Sequence, residues 1–466
     1  MWTEEQWAVI EPKDASSVVV AAPGSGKTTV MTEHLAHVIA TGRTPPQRIL
    51  AMTFTRQAAE HMRQKLRGHE RLRPVDVESC AMGTFHAVFF RALLEADRQV
   101  HPVLAQREQY ALMREAIVNV LGERHAVNVY ELQSYLTLYS RVVGRQKKDE
   151  LDAKGKKILE DYVRRKRALN RWDHDDILLA SLQLLQSRSA SKIRLFQMNY
   201  ILVDEFQDTN ELQWALLTSL VERNSALAFV VGDDDQSIYA FRGASPVYLQ
   251  RAVEALPKAR QYLLTLNFRS DQRILHHAAQ LIRHVKVRVD KPLRGVHDAE
   301  GICLAYEVRD RAAQWVVVAH LLRRAVHHGY SMSILARTRN QLAGAWVALR
   351  RAFGSEWDLM ARGVEFRTFH DSKGKEWDVV ALLDMAVPHD ATLSSDDERR
   401  LFYVAMTRAR HELYALVPRM VEETSRRIHP FLLESGIPLY QVNWRDPKWG
   451  TPSKLGEKSL DFLGCN

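Results

Sequence analysis

A glycine-containing segment near the start of the chain, residues 21–28 (AAPGSGKT), ends in a lysine and a threonine. It follows the apolar run 18–20 and precedes a stretch with helical spacing, which is the context of a phosphate-binding P-loop. The glycines allow backbone N–H groups to close around a polyphosphate, and the next helix N-terminus favours negative charge. The alternative is an ordinary glycine-rich turn. The residues expected at the nucleotide are Gly24, Ser25, Gly26, Lys27, Thr28 and Thr29, with the Lys27 amine on the β- and γ-phosphates and the Thr28 hydroxyl on Mg²⁺.

Two acidic residues, Asp204 and Glu205, end the apolar run 200–203. A P-loop nucleotidase needs one carboxylate that helps to hold Mg²⁺ and a second group that positions the attacking water. We expect Asp204 in the first role and Glu205 in the second, on a strand that neighbours the strand of the P-loop. An acidic pair alone is more typical of a solvated strand end, so this prediction depends on Lys27. Together the two motifs predict ATP hydrolysis with Mg²⁺.

A third segment could join phosphate chemistry to nucleic acid. Gln236 lies just past another apolar run, 226–231, and Tyr239, Phe241 and Arg242 follow it closely. The segment could contact a γ-phosphate at Gln236 and stack bases on the two aromatic rings, since every base has a π-face. The alternative is a polar turn followed by aromatic residues of the core.

These three motifs and five others stand in the order found in the UvrD/Rep/PcrA group of superfamily 1A DNA helicases, which the chain resembles over most of its length. The acidic motif then extends over residues 204–209 (DEFQDT). The resemblance implies an α/β fold with two RecA-like, parallel-sheet P-loop NTPase cores and a mainly helical insertion in the first core. The five further motifs are residues 49–59 (ILAMTFTRQAA), 83–86 (GTFH), 266–270 (LNFRS), 368–377 (TFHDSKGKEW) and 400–410 (RLFYVAMTRAR).

The resemblance also implies the domain boundaries. Residues 1–92 and 172–262 should form the first core (1A), residues 93–171 the helical insertion (1B-like), and residues 263–466 the second core (2A). Apolar residues at helical spacing support helices in the insertion. These are Tyr110, Met113, Ile117 and Leu121.

The interval between Arg269 and Thr368 is short, at about a hundred residues. Helicases that resemble this chain carry a large mobile subdomain there, called 2B, so we expect 2B to be absent. Because the stretch after the last motif is short, we also expect no nuclease domain of the kind that RecB-like relatives carry.

Roles at the nucleotide can be carried over to matching positions. The resemblance implies that Gln6 reads adenine, that Phe268 stacks on the base and that Glu376 contacts the ribose. Arg269 and Arg408 match two arginines that stabilise charge at the γ-phosphate. A glutamine near a terminus is more often simply solvated, which is the alternative for Gln6.

Roles at DNA follow in the same way. Tyr239, Phe241 and Phe54 match stacking or wedge positions, with core packing as the alternative for Phe54. Three positions depart from the family pattern: Thr29 and Lys375 replace a frequent arginine and leucine, and Phe241 a tryptophan. The residues expected near the DNA backbone are Thr84, His86, Arg242 and His370.

Composition agrees with a polyanionic partner. The formal net charge is +9, and residues 141–172 contain twelve Lys or Arg against five Asp or Glu. This basic region has two interpretations, contact with duplex DNA or a solvated helix face. No apolar run of about 18 residues and no signal-peptide pattern is present, so we expect a cytoplasmic protein without membrane contact. The three cysteines are scattered, which predicts neither a disulfide framework nor a metal site.

Residues 173–176 (DHDD) offer ligand-type side chains, but no second cluster completes a metal site. We expect them to cap a helix and to make structural hydrogen bonds.

The functional hypothesis is an ATP- and Mg²⁺-dependent translocase on single-stranded DNA with 3′-to-5′ DNA helicase activity, the polarity being implied by the resemblance. Its partners would be single strands and single-strand/duplex junctions. The alternative is a DNA-stimulated ATPase subunit that acts as a switch in a repair or phage-defence complex with a protein partner. An RNA-directed enzyme is disfavoured, because residues 83–86 and 236–244 resemble the DNA group closely.

Overall fold

The computed structural model describes residues 2–145, 152–388 and 395–442. The chain divides into two compact units, the first being Met1–Ala21 with Gly26–Leu264 and the second Ala22–Ser25 with Thr265–Asn466. The main change of unit therefore falls between residues 264 and 265, where the sequence analysis has 262 and 263.

The first unit is built on a six-stranded sheet whose neighbouring strands are all parallel. Its strands are β1 (Ser17–Ala21), β2 (Ile49–Thr53), β3 (Ala81–Thr84), β4 (Tyr200–Val203), β5 (Leu227–Gly232) and β6 (Arg260–Leu264), in the order β3-β2-β4-β5-β1-β6. The strands β1, β2 and β4 are buried at every position, as expected of a parallel sheet that is covered on both faces. The helices are α1 (Glu4–Ile10), α2 (Lys27–Ala40), α3 (Arg56–Arg67), α4 (Pro74–Ser79), α5 (Phe85–Glu95), α6 (Gln106–Leu121), α7 (Val129–Arg145), α8 (Ala153–Ala168), α9 (His174–Leu185), α10 (Glu211–Asn224) and α11 (Val247–Ala255).

The strand order corrects one prediction. The strand that ends at the acidic pair, β4, does not neighbour the P-loop strand β1, because β5 lies between them: Phe229 is opposite Leu202 on one side and Ser17 on the other. The chemistry survives this correction. In a parallel sheet the carboxyl ends of all strands lie at one edge. Residues that follow two strands can therefore still meet when one other strand lies between them.

The insertion consists of helices with their own core, which confirms the helical spacing. The helix α6 contains the four predicted apolar positions, of which Met113 and Ile117 are fully buried. They pack in one cluster with Tyr139 of α7 and with Ile158 and Tyr162 of α8.

A buried ionic cluster joins α8 to the start of α9. The Lys166 amine, only 2% exposed as a residue, donates to Asp173 at 2.5 Å and to Asp176 at 2.6 Å. Asp173 caps α9 in a capping box with Asp176, and Tyr162 donates to Asp173 at 2.9 Å. The structure thus confirms the capping interpretation of residues 173–176.

This cluster removes Lys166 from both interpretations of residues 141–172, contact with duplex DNA and a solvated helix face. Lys166 is committed to the interior and cannot contact DNA phosphates, while its neighbour Arg164 is exposed and pairs with Asp161. Lys147 and Lys148 of the same region lie outside the described residues.

The second unit is also α/β. Its strands are β7 (Leu266–Asn267), β8 (Arg294–Gly295), β9 (Ile302–Asp310), β10 (Met332–Ala336), β11 (Val364–Thr368), β12 (Trp377–Leu382), β13 (Ala386–Val387), β14 (Ala409–Val421), β15 (Thr424–Ser425), β16 (Arg427–Ile428) and β17 (Leu439–Gln441). The main sheet runs β11-β10-β12-β14-β9-β17 with parallel neighbours, and β15 pairs antiparallel with β14. The helices are α12 (Gln272–Ile282), α13 (Arg311–His327), α14 (Arg339–Phe353), α15 (Trp357–Ala361), α16 (Asp396–Met406) and α17 (Pro430–Ser435).

Two parallel sheets, one in each unit, together with the helical insertion, confirm the predicted fold class. The strand expected at 379–383 is β12, and the helix expected at 315–326 is α13. Within the described ranges, no helix combines the length and apolarity that crossing a membrane requires.

Candidate nucleotide site and nucleic-acid cavity

The P-loop has the backbone that its glycines predict. Gly24 has φ +66° and Gly26 has φ +80°, which are left-handed conformations that suit glycine. Gly26 is the N-cap of α2, so the helix begins at Lys27. The Ser25 hydroxyl donates to the Ala22 carbonyl at 2.8 Å and closes the turn. The first N–H groups of an α-helix have no partner within the helix, so a helix that starts at a glycine loop favours a phosphate there.

A hydroxyl and a carboxylate meet at the carboxyl edge of the first sheet. Thr28 Oγ1 donates to Asp204 Oδ2 at 2.8 Å. Burial and the neighbouring charge of Glu205 raise the pKa of Asp204 to about 6, while Thr28 and Lys27 act in the opposite direction. Oxygen atoms of this kind are the ligands that Mg²⁺ prefers, and a buried carboxylate gains from a cation. These two residues therefore fit a Mg²⁺ ion bound with the nucleotide.

Glu205 stands in an unusual backbone conformation, with φ +51°. A non-glycine residue in this region is strained, and such strain concentrates at functional sites. Gln207 Nε2 donates to the Glu205 carboxylate and holds its direction. A hydrogen bond thus orients the Glu205 carboxylate, which follows Asp204 in the chain.

Gln236 is buried directly after β5. Its amide donates to the Asp233 carboxylate at 2.5 Å. The sequence analysis did not single out the three aspartates that precede it, whose carboxylates lie within 4.8 Å of one another. Their acidic run was visible, but the burial that sets them apart from a solvated turn was not. They are Asp233, Asp234 and Asp235.

Gln6 is placed near the P-loop rather than in solvent. It is 7% exposed, and its Oε1 accepts from the Thr3 N–H at 3.2 Å in a capping box that starts α1. Its Nε2 lies 3.6 Å from the point that a Cβ atom at Gly26 would occupy. A side-chain amide beside the loop is compatible with the predicted contact to adenine.

In the second unit, an ionic cluster holds Arg269. Its Nε donates to Glu376 at 2.5 Å, and Arg410 binds the other oxygen of the same carboxylate. Burial opposes ionisation of Glu376, but the two arginines lower its pKa overall. The sequence analysis did not assign Arg410, although it lies two residues after Arg408 in the same motif. Glu376 here binds arginines, and its predicted contact with ribose stays a prediction.

Arg408 is almost fully buried, at 1% exposure. It donates to the carbonyls of Val404 at 2.8 Å and Lys375 at 3.2 Å, and to the Thr407 hydroxyl at 3.1 Å. Arg269 donates to the Thr407 carbonyl at 3.2 Å, so one threonine contacts both predicted arginines. Their action at a γ-phosphate stays a prediction.

The remaining nucleotide positions are exposed or paired. Phe268 is 40% exposed, and its N–H donates to the Gly24 carbonyl at 2.9 Å within the same unit. Thr29, where relatives often have arginine, accepts from Lys65 at 3.5 Å. Lys375 forms an ion pair with Glu365.

A cavity of about 440 Å³ in the first unit is lined by six of the seven residues that are predicted to contact DNA. These are Phe54, Thr84, His86, Tyr239, Phe241 and Arg242. The seventh, His370, belongs to the second unit, in the short turn after β11.

Three aromatic rings form one wall of the cavity. Phe54 stacks on Tyr239 with ring centres 5.2 Å apart and planes 19° apart, and Phe241 meets Tyr239 edge-on at 5.9 Å. Phe241 is 37% exposed, and the Arg242 guanidinium lies 5.3 Å from the Tyr239 ring. Half-buried Phe54 therefore lines the cavity wall and is not only a core residue.

His86 is neutral at physiological pH. Burial, followed by the neighbouring His174, lowers the pKa of His86 to about 3. The two imidazoles meet edge-on at 4.8 Å. A neutral imidazole can hydrogen-bond to a nucleic acid but supplies no positive charge. Thr84 caps α5 by accepting from the Ala87 N–H at 3.3 Å.

The insertion lines the same cavity, which the sequence analysis did not anticipate. The Thr137 hydroxyl of α7 donates to the Phe241 carbonyl, and Gln133 donates to the Tyr110 hydroxyl at 3.2 Å. These residues lie outside every motif, and only the amides and hydroxyls on α6 and α7 hinted at a polar role. The insertion residues that line the cavity are Gln106, Gln109, Tyr110, Gln133, Leu136, Thr137, Tyr139 and Ser140.

Comparisons with known proteins show the family of the chain. Residues 2–257 match the UvrD/REP helicase N-terminal domain, and residues 347–418 match the UvrD-like helicase C-terminal domain. The ATP-dependent DNA helicase PcrA of Leuconostoc citreum is 30% identical over 357 residues, or 72% of this chain and 47% of that protein. PcrA of Bacillus subtilis (strain 168) is 30% identical over 318 residues, or 65% and 42%.

A protein of Mycoplasma pneumoniae named "Probable DNA helicase" is 27% identical over 471 residues, which cover 92% of this chain and 85% of that protein. The chain spans about half the length of the PcrA relatives that it matches. The match to the N-terminal domain covers more than half of the chain and includes the P-loop, the acidic pair and the aromatic wall. The chain therefore belongs to the UvrD/REP helicase family.

Proposed function

We propose that this chain is an ATP-driven translocase on single-stranded DNA that also separates strands in the 3′-to-5′ direction. One observation carries the proposal: a single short segment leads from Gln236, which follows β5 next to the strand of the acidic pair, to Tyr239 and Phe241 in the cavity. Nucleotide chemistry and base stacking can therefore influence each other over a few residues of backbone.

In this proposal the chain's residues divide the work. Lys27 and the start of α2 bind the phosphates, and Thr28 with Asp204 would hold the Mg²⁺, which neutralises charge on the transferred phosphoryl group. Glu205 orients the attacking water and accepts its proton. Arg269 and Arg408 stabilise charge that develops at the γ-phosphate. The aromatic wall grips bases without regard to sequence.

Further parts of the proposal rest on the sequence. The short interval between residues 269 and 368 supports the absence of a 2B subdomain. The bounds 1–92 with 172–262, 93–171 and 263–466 are proposed for the first core, the insertion and the second core. Single strands and single-strand/duplex junctions are the proposed partners.

The test is ATP turnover of the full chain with poly(dT), with poly(U) and without nucleic acid. We expect poly(dT) to stimulate turnover strongly and poly(U) to do so much less. Duplexes with a 3′ or a 5′ single-stranded tail then test unwinding, and unwinding only of the 3′-tailed substrate supports the polarity. Turnover that poly(dT) does not change would contradict the proposal.

The alternative is an ATP switch that signals to a protein partner. It is favoured by turnover that single strands stimulate without any displacement of a short strand. The unwinding assay thus distinguishes the translocase from the switch.

A further inference from the structure

A fully buried glutamine, Gln207, uses both ends of its side-chain amide. Its Nε2 donates to the Glu205 carboxylate, and its Oε1 accepts from the Asp233 N–H at 2.9 Å. Its main-chain carbonyl accepts from the Ser237 hydroxyl at 3.1 Å. The side chain is 0% exposed. One residue therefore binds the water-orienting carboxylate and both ends of the segment 233–237.

The backbone opposite Gln207 has no space for a side chain. A Cβ atom at Gly232 would lie 2.6 Å from Gln207 Oε1 and 3.0 Å from the Gln207 backbone nitrogen. Both distances are at or below the closest approach of real Cβ atoms, so any larger residue must displace Gln207. The close approach of β5 to Gln207 is thus a built feature of the fold.

The segment 233–237 connects the two candidate sites. It contains Gln236, and two residues after its end Tyr239 stacks on Phe54 in the cavity. On the other side, Asp208 follows Gln207 and also lines the cavity. Tyr239 is thus two residues from Ser237, whose hydroxyl donates to the Gln207 carbonyl.

We propose that Gln207 is a positioning residue that transmits occupation of the DNA cavity to the Glu205 carboxylate. The inference rests on the proposed function. The Gln207 amide donates to the Glu205 carboxylate and so contributes to the direction in which that carboxylate points. DNA in the cavity shifts the segment 233–237, and the Gln207 amide turns Glu205 toward the attacking water.

The test is the Gln207→Met variant of the full chain, because methionine keeps the length and removes both side-chain hydrogen bonds. We expect kcat for ATP at saturating poly(dT) to fall on the order of 10- to 100-fold, since small misplacement of a reacting group has effects of this size. The KM for ATP and the Kd for a dT oligonucleotide should change less than about two-fold, because Gln207 contacts neither ligand in this account.

A matched control exists in the second unit. Gln314 is also 0% exposed, and its amide donates to Asp384 Oδ1 at 3.0 Å and accepts from the Asp384 N–H at 2.9 Å. Gln314→Met removes the same kind of bonds away from both sites, and we expect it to keep the stimulated kcat. If the loss of a buried amide lowers the stimulated kcat only by destabilising the fold, the kcat of both variants should fall alike.

Gly232→Ala approaches the same contact from the other side. It should also lower the stimulated kcat, and combining it with Gln207→Met should add little, because both changes break one linkage. The proposal is overturned if Gln207→Met keeps the stimulated kcat within about two-fold, if both ligand affinities fall with it, or if the two changes add fully. Wild-type turnover that poly(dT) does not stimulate overturns the proposed function itself, and this inference with it.

Discussion

At the scale of single residues, changes at Lys27 and Glu205 should affect ATP turnover without affecting DNA binding. Lys27→Ala or Glu205→Gln removes a group used in phosphoryl transfer and should lower ATP turnover by roughly two orders of magnitude or more. Single-strand binding should persist, because the cavity lies on other residues. Steady-state ATPase assays and oligonucleotide titrations check this, with Lys13→Ala as the control, a lysine paired with Glu11 at the surface. Near-normal turnover in either variant would remove these residues from the active site.

Phe241 and Arg242 should differ in their response to salt. Phe241→Ala should weaken binding by about 1–3 kcal/mol without changing the salt dependence, because stacking releases no counterions. Arg242→Ala should reduce the slope of log K against log salt by about 0.7 if the guanidinium contacts one phosphate. Titrations of a dT oligonucleotide at several salt concentrations measure both.

The control for this pair is Trp346→Ala, an aromatic residue of α14 that is 40% exposed. Its affinity for DNA should stay at the wild-type value. If Phe241→Ala binds as tightly as wild type, Phe241 is a structural residue and not a stacking platform.

Residue roles could be predicted where chemistry is local in sequence. Lys27 and Thr28 follow a glycine loop, and Asp204 follows an apolar run, so their types and spacing suffice. The two hydrogen bonds of the Gln207 amide could not be predicted in this way. They depend on the distance between the ends of β4 and β5, which no local pattern reports. Arg408 shows the same limit, because its position in a motif says nothing about its burial.

At the scale of elements, the junction of α8 and α9 should be the weak point of the insertion. Lys166→Met leaves the buried Asp173 carboxylate and the half-buried Asp176 carboxylate without their cation, and breaking a buried pair costs about 3–5 kcal/mol. Urea unfolding of the first unit measures this loss. The control Arg164→Met removes an exposed guanidinium from Asp161, which keeps its ion pair with Arg165, so the loss should be less than about 1 kcal/mol. Equal losses would mean that the Lys166 pairs contribute no more than the pair of Arg164.

Asp175 should give this junction a distinct pH dependence. Burial and the charge of Asp173 raise the pKa of Asp175 to about 7, with Asp176 in the same direction and Ser140 and Lys166 opposed. An unfolded aspartate ionises near pH 3.9, so between about pH 4 and 7 the folded chain holds a proton that the unfolded chain has lost. Stability from this group is therefore lost as pH rises through that window.

Asp175→Asn removes this dependence. The melting temperature of the variant, relative to wild type, should rise from pH 5 to pH 8. The control Asp14→Asn changes a side chain that is 91% exposed and should show no such trend. Parallel wild-type and Asp175→Asn curves over this range would show that Asp175 is ionised throughout.

Helices and strands could be predicted where apolar residues recur with a single period. Met113 and Ile117 mark α6 by spacing alone. The place of β5 between β1 and β4 was not predictable, because strand pairing over long separations leaves no local signal. The contribution of α7 to the cavity was equally hidden, since polar residues such as Gln133 and Thr137 carry no hydrophobic period.

At the scale of the whole molecule, we propose that ATP hydrolysis moves the chain along single-stranded DNA. Membership of the UvrD/REP family and the two candidate sites support this proposal. An ATPase that only senses DNA would contain the same residues. Movement therefore has to be measured directly.

The most direct measurement is displacement of streptavidin from a biotin at one end of a dT oligonucleotide by the full chain with ATP and Mg²⁺. We predict fast release of streptavidin from the 5′ end, little acceleration of its release from the 3′ end, and no release by the Glu205→Gln variant. Release from the 3′ end alone would contradict the polarity. Hydrolysis that poly(dT) stimulates, without release from either end, would contradict translocation and favour the switch.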